Sequence, residues 1–502
     1  MRRDFTRWEI VFVSVVFIAG LAVRLRLATL TYLNPDEAQQ ALLAFGTWSG
    51  AFRNSLTVTH PPLLVVLIHG VSLLSRTELA LRLVPVLAGS LFPLLILGWL
   101  RSVAGTMAAM AALLLLTLAP HLIVVSAQLR SYTLAFLLLS AALLLLEQAL
   151  ESGRCRTMAV YNVLLWLCIL SDYSMAWFAG AAGIYALLRL RGSSALLKST
   201  WAAGQLIALL LYGTLFILQV QPLETLDIRN TYLQGAFPSP GKMLVFPVAG
   251  TLKQFAYLMA SVPIGCVALV LFAIAVFWLW TGPAGIERSK SRALAVLLVL
   301  PFLLGVAGAY AHLFPYGRTR QTLVIGIFAA SGIAIFVQKL PRRAAVTILG
   351  GAFLLAPLWY WRADWDPQDI SPDRNRKESM RECLEYMRSA IPPGTVIFTE
   401  RETLYMLAYY EGHNEQPEGA AGQFSETLLG GRWRVITRDY KYLTRNNYQA
   451  ALGAFRRQYG LGDTEPVWIL DGGWDVVSVP PDETRPFTKA VRVFQTRSPS
   501  GD

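Results

Sequence analysis

Charged side chains are scarce in this chain, at 15% of 502 residues against 55% hydrophobic. A soluble globular domain carries about 25% charge, so an ordinary soluble enzyme is excluded. A mean hydropathy of +0.47 needs lipid to satisfy it, and the same figures exclude disordered and collagen-like chains. Cysteine is also sparse. Cys168 and Cys266 lie in apolar runs, Cys155 in a basic loop and Cys383 alone in a polar tail. No pair among them suggests a disulfide or a zinc site. Acidic residues are few before residue 362: residues 1–361 hold 26 Lys+Arg and 11 Asp+Glu, net +15, whereas 362–502 hold 18 and 21, net −3. The basic excess belongs to the hydrophobic part, where loop Lys and Arg set orientation in a bilayer. Nucleic acid drops out as a partner. No Walker motif occurs, so ATP is not expected, and Gly282–Pro283–Ala284–Gly285 follows no strand and reads as a loop.

Apolar stretches close to the length that crosses a ~30 Å hydrocarbon core begin with Glu9–Leu27. No small-residue cleavage pattern follows this stretch, and Arg24 and Arg26 interrupt the place for one, so it reads as an uncleaved anchor. Further spans fall at about 79–100, 103–120, 132–150, 157–171, 173–190, 200–220, 257–280, 293–311, 321–338 and 344–361, about eleven in all. Pro61–Ser75 decides the topology. If it does not cross, Arg2, Arg3 and Arg7 share one side with Arg101, Arg154, Arg156, Arg189, Arg191, Lys198, Arg288, Lys290, Arg292, Lys339, Arg342 and Arg343. The positive-inside rule favours this arrangement and makes 61–75 a helix lying at the outer membrane surface. The N-terminus is then cytoplasmic. Residues 28–78, 121–131, 221–256, 312–320 and the tail are periplasmic or external.

The expected architecture is an α-helical polytopic membrane protein with a C-terminal extracytoplasmic α/β domain, divided as 1–361 and 362–502. In the tail, helices are expected near Lys377–Ala390, Glu402–Glu411 and Asn446–Tyr459, with strands at Thr395–Thr399, Arg432–Thr437, Val467–Leu470 and Ala490–Phe494. Asp471–Gly472–Gly473–Trp474 reads as a hairpin turn. Arg438, Tyr440, Lys441 and Tyr442 could touch a sugar polymer or form a solvated face.

The informative residues are polar ones on the outer side, because ionisable groups near a membrane are expensive and usually have a job. Asn34–Pro35–Asp36–Glu37 follows the first span. Adjacent carboxylates near apolar surface suit proton abstraction. The same residues also spell a helix start, with Asn34 as cap, Pro35 at the first position and two acids at the positive end of the dipole. Both can hold together. His60, in Thr59–His60–Pro61–Pro62, could donate to an anionic or sugar ligand or simply mark a helix entry. Arg130 and Tyr132, in Ser126–Ala127–Gln128–Leu129–Arg130–Ser131–Tyr132, suit a phosphate or carboxylate with a ring beside it. An interfacial Arg with an aromatic-belt Tyr is the alternative. Asp172 sits in a turn too short to be a loose loop. Tyr316, Arg318 and Arg320 form a basic group against the positive-inside trend, fit for a lipid-linked anion or for anionic headgroups.

This order resembles the integral-membrane glycosyltransferases of the GT-C superfamily, nearest to the bacterial branch with the aminoarabinose lipid A transferases and more distantly the protein O-mannosyltransferases. The matching elements are Arg24 at the end of the first span, Asp36–Glu37 in the first outer loop, and His60–Pro61–Pro62–Leu63 opening a surface helix. Arg82 and Pro85 at the next span and Arg130-x-Tyr132 in the second outer loop complete the set, over roughly residues 5–340. The resemblance implies transfer of a sugar from a polyprenyl-phosphate donor to a lipid, glycan or protein acceptor outside the cytoplasmic membrane, with inversion at the anomeric carbon. It also implies Asp36 as the general base or acceptor-positioning carboxylate with Glu37 beside it, and His60, Arg130, Tyr132, Asp172, Arg318 and Arg320 on the donor's sugar and phosphate. Relatives often show Arg-Tyr followed by small residues and Pro where this chain has Tyr316–Gly317–Arg318–Thr319–Arg320. Some relatives use a divalent cation, but no clear Asp-x-Asp occurs, and no metal or other cofactor is predicted. A departing phosphate needs no ATP. A lipid-linked sugar flippase and a membrane anchor for envelope assembly are the competing classes. No matching halves occur and the ionisable groups crowd the outer edge, unlike a transporter.

Overall fold

The computed structural model describes residues 5–58, 60–221, 234–282, 286–361, 376–412, 424–437, 448–462, 465–471, 485–486 and 492–495. Each expected span coincides with a helix: Arg7–Leu30, Glu78–Val103, Thr106–Leu118, Tyr132–Ser152, Cys155–Ser171, Met175–Arg189, Ala195–Leu215, Val262–Thr281, Ile286–Tyr310, Ile325–Gln338 and Arg342–Trp361. Among the described residues, seven helices are long and apolar enough to cross a membrane. The count is eight if the pair Thr106–Leu118 and Pro120–Ser126, bent by 62°, is one span. The bend has a cause in Pro120, which lacks an N–H and clashes with the preceding turn. Apolar side chains on the outer helices stand open, such as Leu209 at 68% and Leu218 at 69% exposure. In water such surface would drive aggregation, whereas lipid accepts it. This is a multi-pass membrane protein.

Two compact units emerge, interleaved along the chain. One comprises Met1–Leu25, Ser55–Leu64 and Leu83–Trp365; the other comprises Arg26–Asn54, Val65–Arg82 and Asp366–Asp502. Most of the segment between the first two spans therefore groups with the tail rather than with the bulk of the spans.

In the first unit, Arg24 is fully buried, and its Nη1 donates to Gly20 O at 3.1 Å and to Thr117 O at 2.9 Å. Thr117 is in the last turn before the bend, where helix carbonyls lose their own partners. Arg24 thus closes the end of a broken helix. The helix Phe246–Leu258 begins within the segment 221–256, which was expected as loop.

In the second unit, three short helices follow the first span: Pro35–Ala44, Trp48–Ser55 and Leu63–Ser72, of which Ser55, Leu63 and Leu64 are counted with the other unit. The tail supplies helices Lys377–Ala390, Arg401–Tyr410 and Tyr448–Tyr459 and six strands. These are β1 (Val396–Thr399), β2 (Ser425–Leu429), β3 (Trp433–Thr437), β4 (Trp468–Asp471), β5 (Arg485–Pro486) and β6 (Arg492–Gln495), in sheet order β2-β3-β1-β4-β6-β5. β1 runs parallel to β3 and β4, and the remaining pairs are antiparallel. Pro486 is tolerated because β5 is an edge strand. Phe398, Ile436, Phe455 and Ile469 form the core under the sheet. The expected tail elements fall within a few residues of these; β2 and β5 are additional. All four cysteines are free thiols. Arg438, Tyr440, Lys441, Tyr442, Gly472–Gly473–Trp474 and Pro283–Ala284–Gly285 lie outside the described residues.

Candidate functional site

The carboxylate pair begins a capped helix in the second unit. Asn34 Oδ1 accepts from Glu37 N at 3.0 Å, and Glu37 Oε2 accepts from Asn34 N at 3.1 Å, a complete capping box with Pro35 in the first turn. Glu37 is fully buried and its carboxylate is gripped by Arg82, Nε to Oε1 at 2.8 Å and Nη2 to Oε2 at 2.7 Å. The remaining Arg82 N–H groups reach Ala28 O, Thr31 O and Tyr32 O at 2.7–2.8 Å. A guanidinium has five donors in a rigid fork. Here they fasten the chain between the first span and the capped helix. Asp36, on the same turn, is half-buried. The two acids therefore differ sharply: Glu37 is a fixed counter-charge, and Asp36 keeps solvent access.

The first unit gathers Arg130, Tyr132 and Asp172. Arg130 is 8% exposed and stands over the Tyr132 ring at 5.7 Å, at the start of the helix Tyr132–Ser152. Asp172 Oδ1 accepts from Ser174 N at 2.9 Å and Ser174 Oγ at 2.7 Å. Burial raises the Asp172 carboxyl above its ordinary value, opposed by the serine hydrogen bonds from 174 and 131 and by the Arg130 charge. Gln128, two residues before Arg130, is 1% exposed, and neither of its amide atoms finds a hydrogen-bond partner among the described residues. A buried carboxamide left so costs about 1–3 kcal/mol.

His60 joins the same unit through a residue that sequence reasoning missed. Gln219 is 1% exposed in a π-helical turn, Phe216–Val220, ending the helix that starts at Ala195. Its Nε2 donates to the carbonyls of Ser55 (2.8 Å), Val58 and His60 (2.7 Å), and its Oε1 accepts from the Tyr173 hydroxyl. The His60 loop is thereby tied to the Asp172–Tyr173 turn. The available signal was one amide in an otherwise apolar run, Phe216–Ile217–Leu218–Gln219–Val220. π-Helical turns recur at functional sites.

Arg318 and Arg320 ride on a shaped loop. Gly317 has φ +115°, which a side chain would resist. Tyr316 donates its N–H to Ala236 O at 2.9 Å and bonds Thr251 Oγ1 at 2.7 Å, and burial pushes its hydroxyl up to about 12. A Cβ at Gly250 would meet the Tyr316 ring at 2.7 Å. Arg318 is exposed and Arg320 half-buried, and the turn Arg320–Val324 packs on the helix that begins at Tyr132. Among the described residues, no group of three or more His, Cys, Asp or Glu side chains is placed to hold a metal.

Residues 59–217, which carry His60, Arg130, Tyr132 and Asp172, match the family model described as dolichyl-phosphate-mannose-protein mannosyltransferase. Among solved structures, the chain is similar to ArnT from Cupriavidus metallidurans bound to undecaprenyl phosphate. The identity is 14% and the TM-score 0.56, with 98% of each chain covered. It is also similar to the Archaeoglobus fulgidus oligosaccharyltransferase tethered with an acceptor peptide. There the identity is 12% and the TM-score 0.53, covering 92% of this chain and 69% of that one. The apo form of that enzyme gives 12% and 0.52, over 91% and 69%. No curated protein sequence matches. At these identities the likeness to solved structures is one of fold, and the family model covers residues 59–217, about a third of the chain. The chain is a multi-pass membrane protein with the fold of these transferases and a segment similar to the mannosyltransferase family.

Proposed function

We propose that this chain moves a sugar from a polyprenyl-phosphate carrier to an envelope glycolipid, polysaccharide or protein on the outer face of a bacterial cytoplasmic membrane. The N-terminus would be cytoplasmic, residues 1–361 the membrane-embedded part and residues 362–502 a periplasmic α/β domain. The similar ArnT structure is bound to undecaprenyl phosphate, which supports the carrier. In the step envisaged, an acceptor hydroxyl attacks the anomeric carbon and gives its proton to Asp36. The bond to phosphate breaks on the opposite side, the carrier phosphate leaves with the electron pair, and the anomeric centre inverts. Arg130, with Tyr132, Gln128 and Asp172 around it, is assigned to the donor's phosphate and sugar, and His60, Arg318 and Arg320 to the same ligand. Cations placed where negative charge develops are the largest lever such a reaction offers.

The observation that carries the assignment is the division between neighbouring acids. Glu37 is fully buried in the Arg82 fork, which fits it for holding the turn. Asp36 is half-buried one residue earlier, which fits it for meeting an acceptor. The test uses purified protein in vesicles with undecaprenyl-phosphate-linked hexoses and pentoses and an envelope extract, read by mass spectrometry. Asp36→Asn should abolish transfer at unchanged thermal stability. Undiminished transfer by that variant overturns the base. Movement of labelled lipid across the bilayer without a covalent product would favour a flippase instead.

A further inference from the structure

A tyrosine hydroxyl from the tail reaches the Asp36 turn. Tyr410 closes the helix Arg401–Tyr410, which packs on the capped helix Pro35–Ala44 within the same unit. The Tyr410 hydroxyl donates to Glu78 Oε1 and accepts from Leu33 N at 2.9 Å. Leu33 immediately precedes the cap residue Asn34. Glu78 is 5% exposed, and its other oxygen takes Lys377 Nζ, so the tail holds this carboxylate with two side chains. The bridge between Thr31 and Arg376 adds a backbone tie. Burial and the Glu78 charge hold the Tyr410 hydroxyl far above its ordinary titration range. It therefore remains a donor to Glu78, with a lone pair left for the Leu33 N–H.

We propose that Tyr410 is a positioning residue for Asp36: its hydroxyl ties the Leu33 backbone to Glu78 and so fixes the entry of the helix that carries the base. The proposal rests on Asp36 being that base. Arg82 grips the turn from Ala28 to Glu37, and Tyr410 sets its middle from the opposite end of the sequence. A buried N–H such as that of Leu33 needs an acceptor. Without the hydroxyl it must find one by moving the chain three residues ahead of Asp36. Small displacements of a catalytic group are costly in rate, up to about 100-fold for 1 Å.

The neighbouring Tyr409 provides a matched control. Its hydroxyl also donates to a carbonyl from the same helix, but to Arg76 O, at 2.8 Å, rather than into the turn 31–37. Tyr409 and Tyr410 pack edge to face at 5.0 Å, a contact that phenylalanine preserves in either place. Tyr410→Phe should lower kcat about tenfold with KM for the donor within about twofold. It should also speed hydrogen exchange across the peptide 31–37. Tyr409→Phe should leave kcat and that exchange as in the unaltered chain. Equal kcat losses in the two variants, or exchange unchanged by Tyr410→Phe, overturn the proposal. If Asp36→Asn is inactive while Tyr410→Phe keeps full kcat, this proposal alone fails. If Asp36→Asn keeps its transfer, the base assignment fails first.

Discussion

Arg82→Ala removes a fork whose six contacts, at 2.7–3.2 Å, reach Glu37, Ala28, Thr31 and Tyr32. Both members of the Arg82–Glu37 pair have fully buried side chains, so the deletion strands a carboxylate and three carbonyl oxygens without water. Removing one partner of a buried pair costs about 3–5 kcal/mol, because the other charge stays behind. At roughly 2–4 °C per kcal/mol for a unit of this size, the unfolding midpoint falls by roughly 6–20 °C. Cys383 reports on the same unit, since its thiol is fully buried in the tail. In a background with Cys155, Cys168 and Cys266 replaced by Ala, its reaction with a maleimide marks the temperature at which the unit opens. Glu37→Gln should also lower this midpoint, because the amide offers a donor where Arg82 needs an acceptor. The double variant should recover part of the loss, a coupling of about 0.5–3 kcal/mol. A midpoint change under about 2 °C for Arg82→Ala corresponds to a loss of at most about 1 kcal/mol. That result, or strict additivity of the pair, would show that the fork does not hold the Asp36 turn.

Two further outcomes follow from the other unit. Asp172 has a folded pKa above its unfolded value near 3.8 because of burial. Its contribution to stability is therefore full below that value and lost as pH rises through the folded pKa. Asp172→Asn keeps an acceptor for Ser174, so its melting temperature relative to the unaltered chain should climb as pH is raised across that window; a difference flat with pH refutes the sign. Gln219→Leu strips three carbonyls of their donor and the Tyr173 hydroxyl of its acceptor. It should raise protease cleavage within 55–60 several-fold, and an unchanged cleavage pattern would refute its role in tying that loop.

The spans and most of the tail were legible because their signals are local. Runs such as Val262–Thr281 need no partner to be recognised, and turn residues such as Pro392–Pro393–Gly394 mark where the tail changes direction. The helix start at Asn34 and Pro35 was readable for the same reason, whereas the reciprocal bond from Glu37 back to Asn34 was not. β2, with the mixed sequence Ser425–Glu426–Thr427–Leu428–Leu429, shows no clean alternation and is held by its pairing with β3. The grip of Arg82 on Glu37 was hidden by distance. Each residue stood out alone, but nothing in a sequence says that two ionised groups 45 positions apart meet. Gln219 escaped because an amide within an apolar span raises no flag until the loop it binds is in view. Tyr410 was more obscure still, one tyrosine at the end of an unremarkable amphipathic helix.

The interleaving of the two units sets an order in time. Glu37 meets Arg82 after 45 more residues have been made, whereas Leu33 meets Tyr410 after 377. At about 5–20 residues per second, that is roughly 2–9 s for the first partner and roughly 20–75 s for the second. The Asp36 turn is thus among the first segments to leave the ribosome and among the last to be finished. A chain interrupted before residue 376 would carry Asp36 and the capped helix yet lack Lys377 and Tyr410, so the Leu33 N–H and the Glu78 carboxylate would wait for the tail.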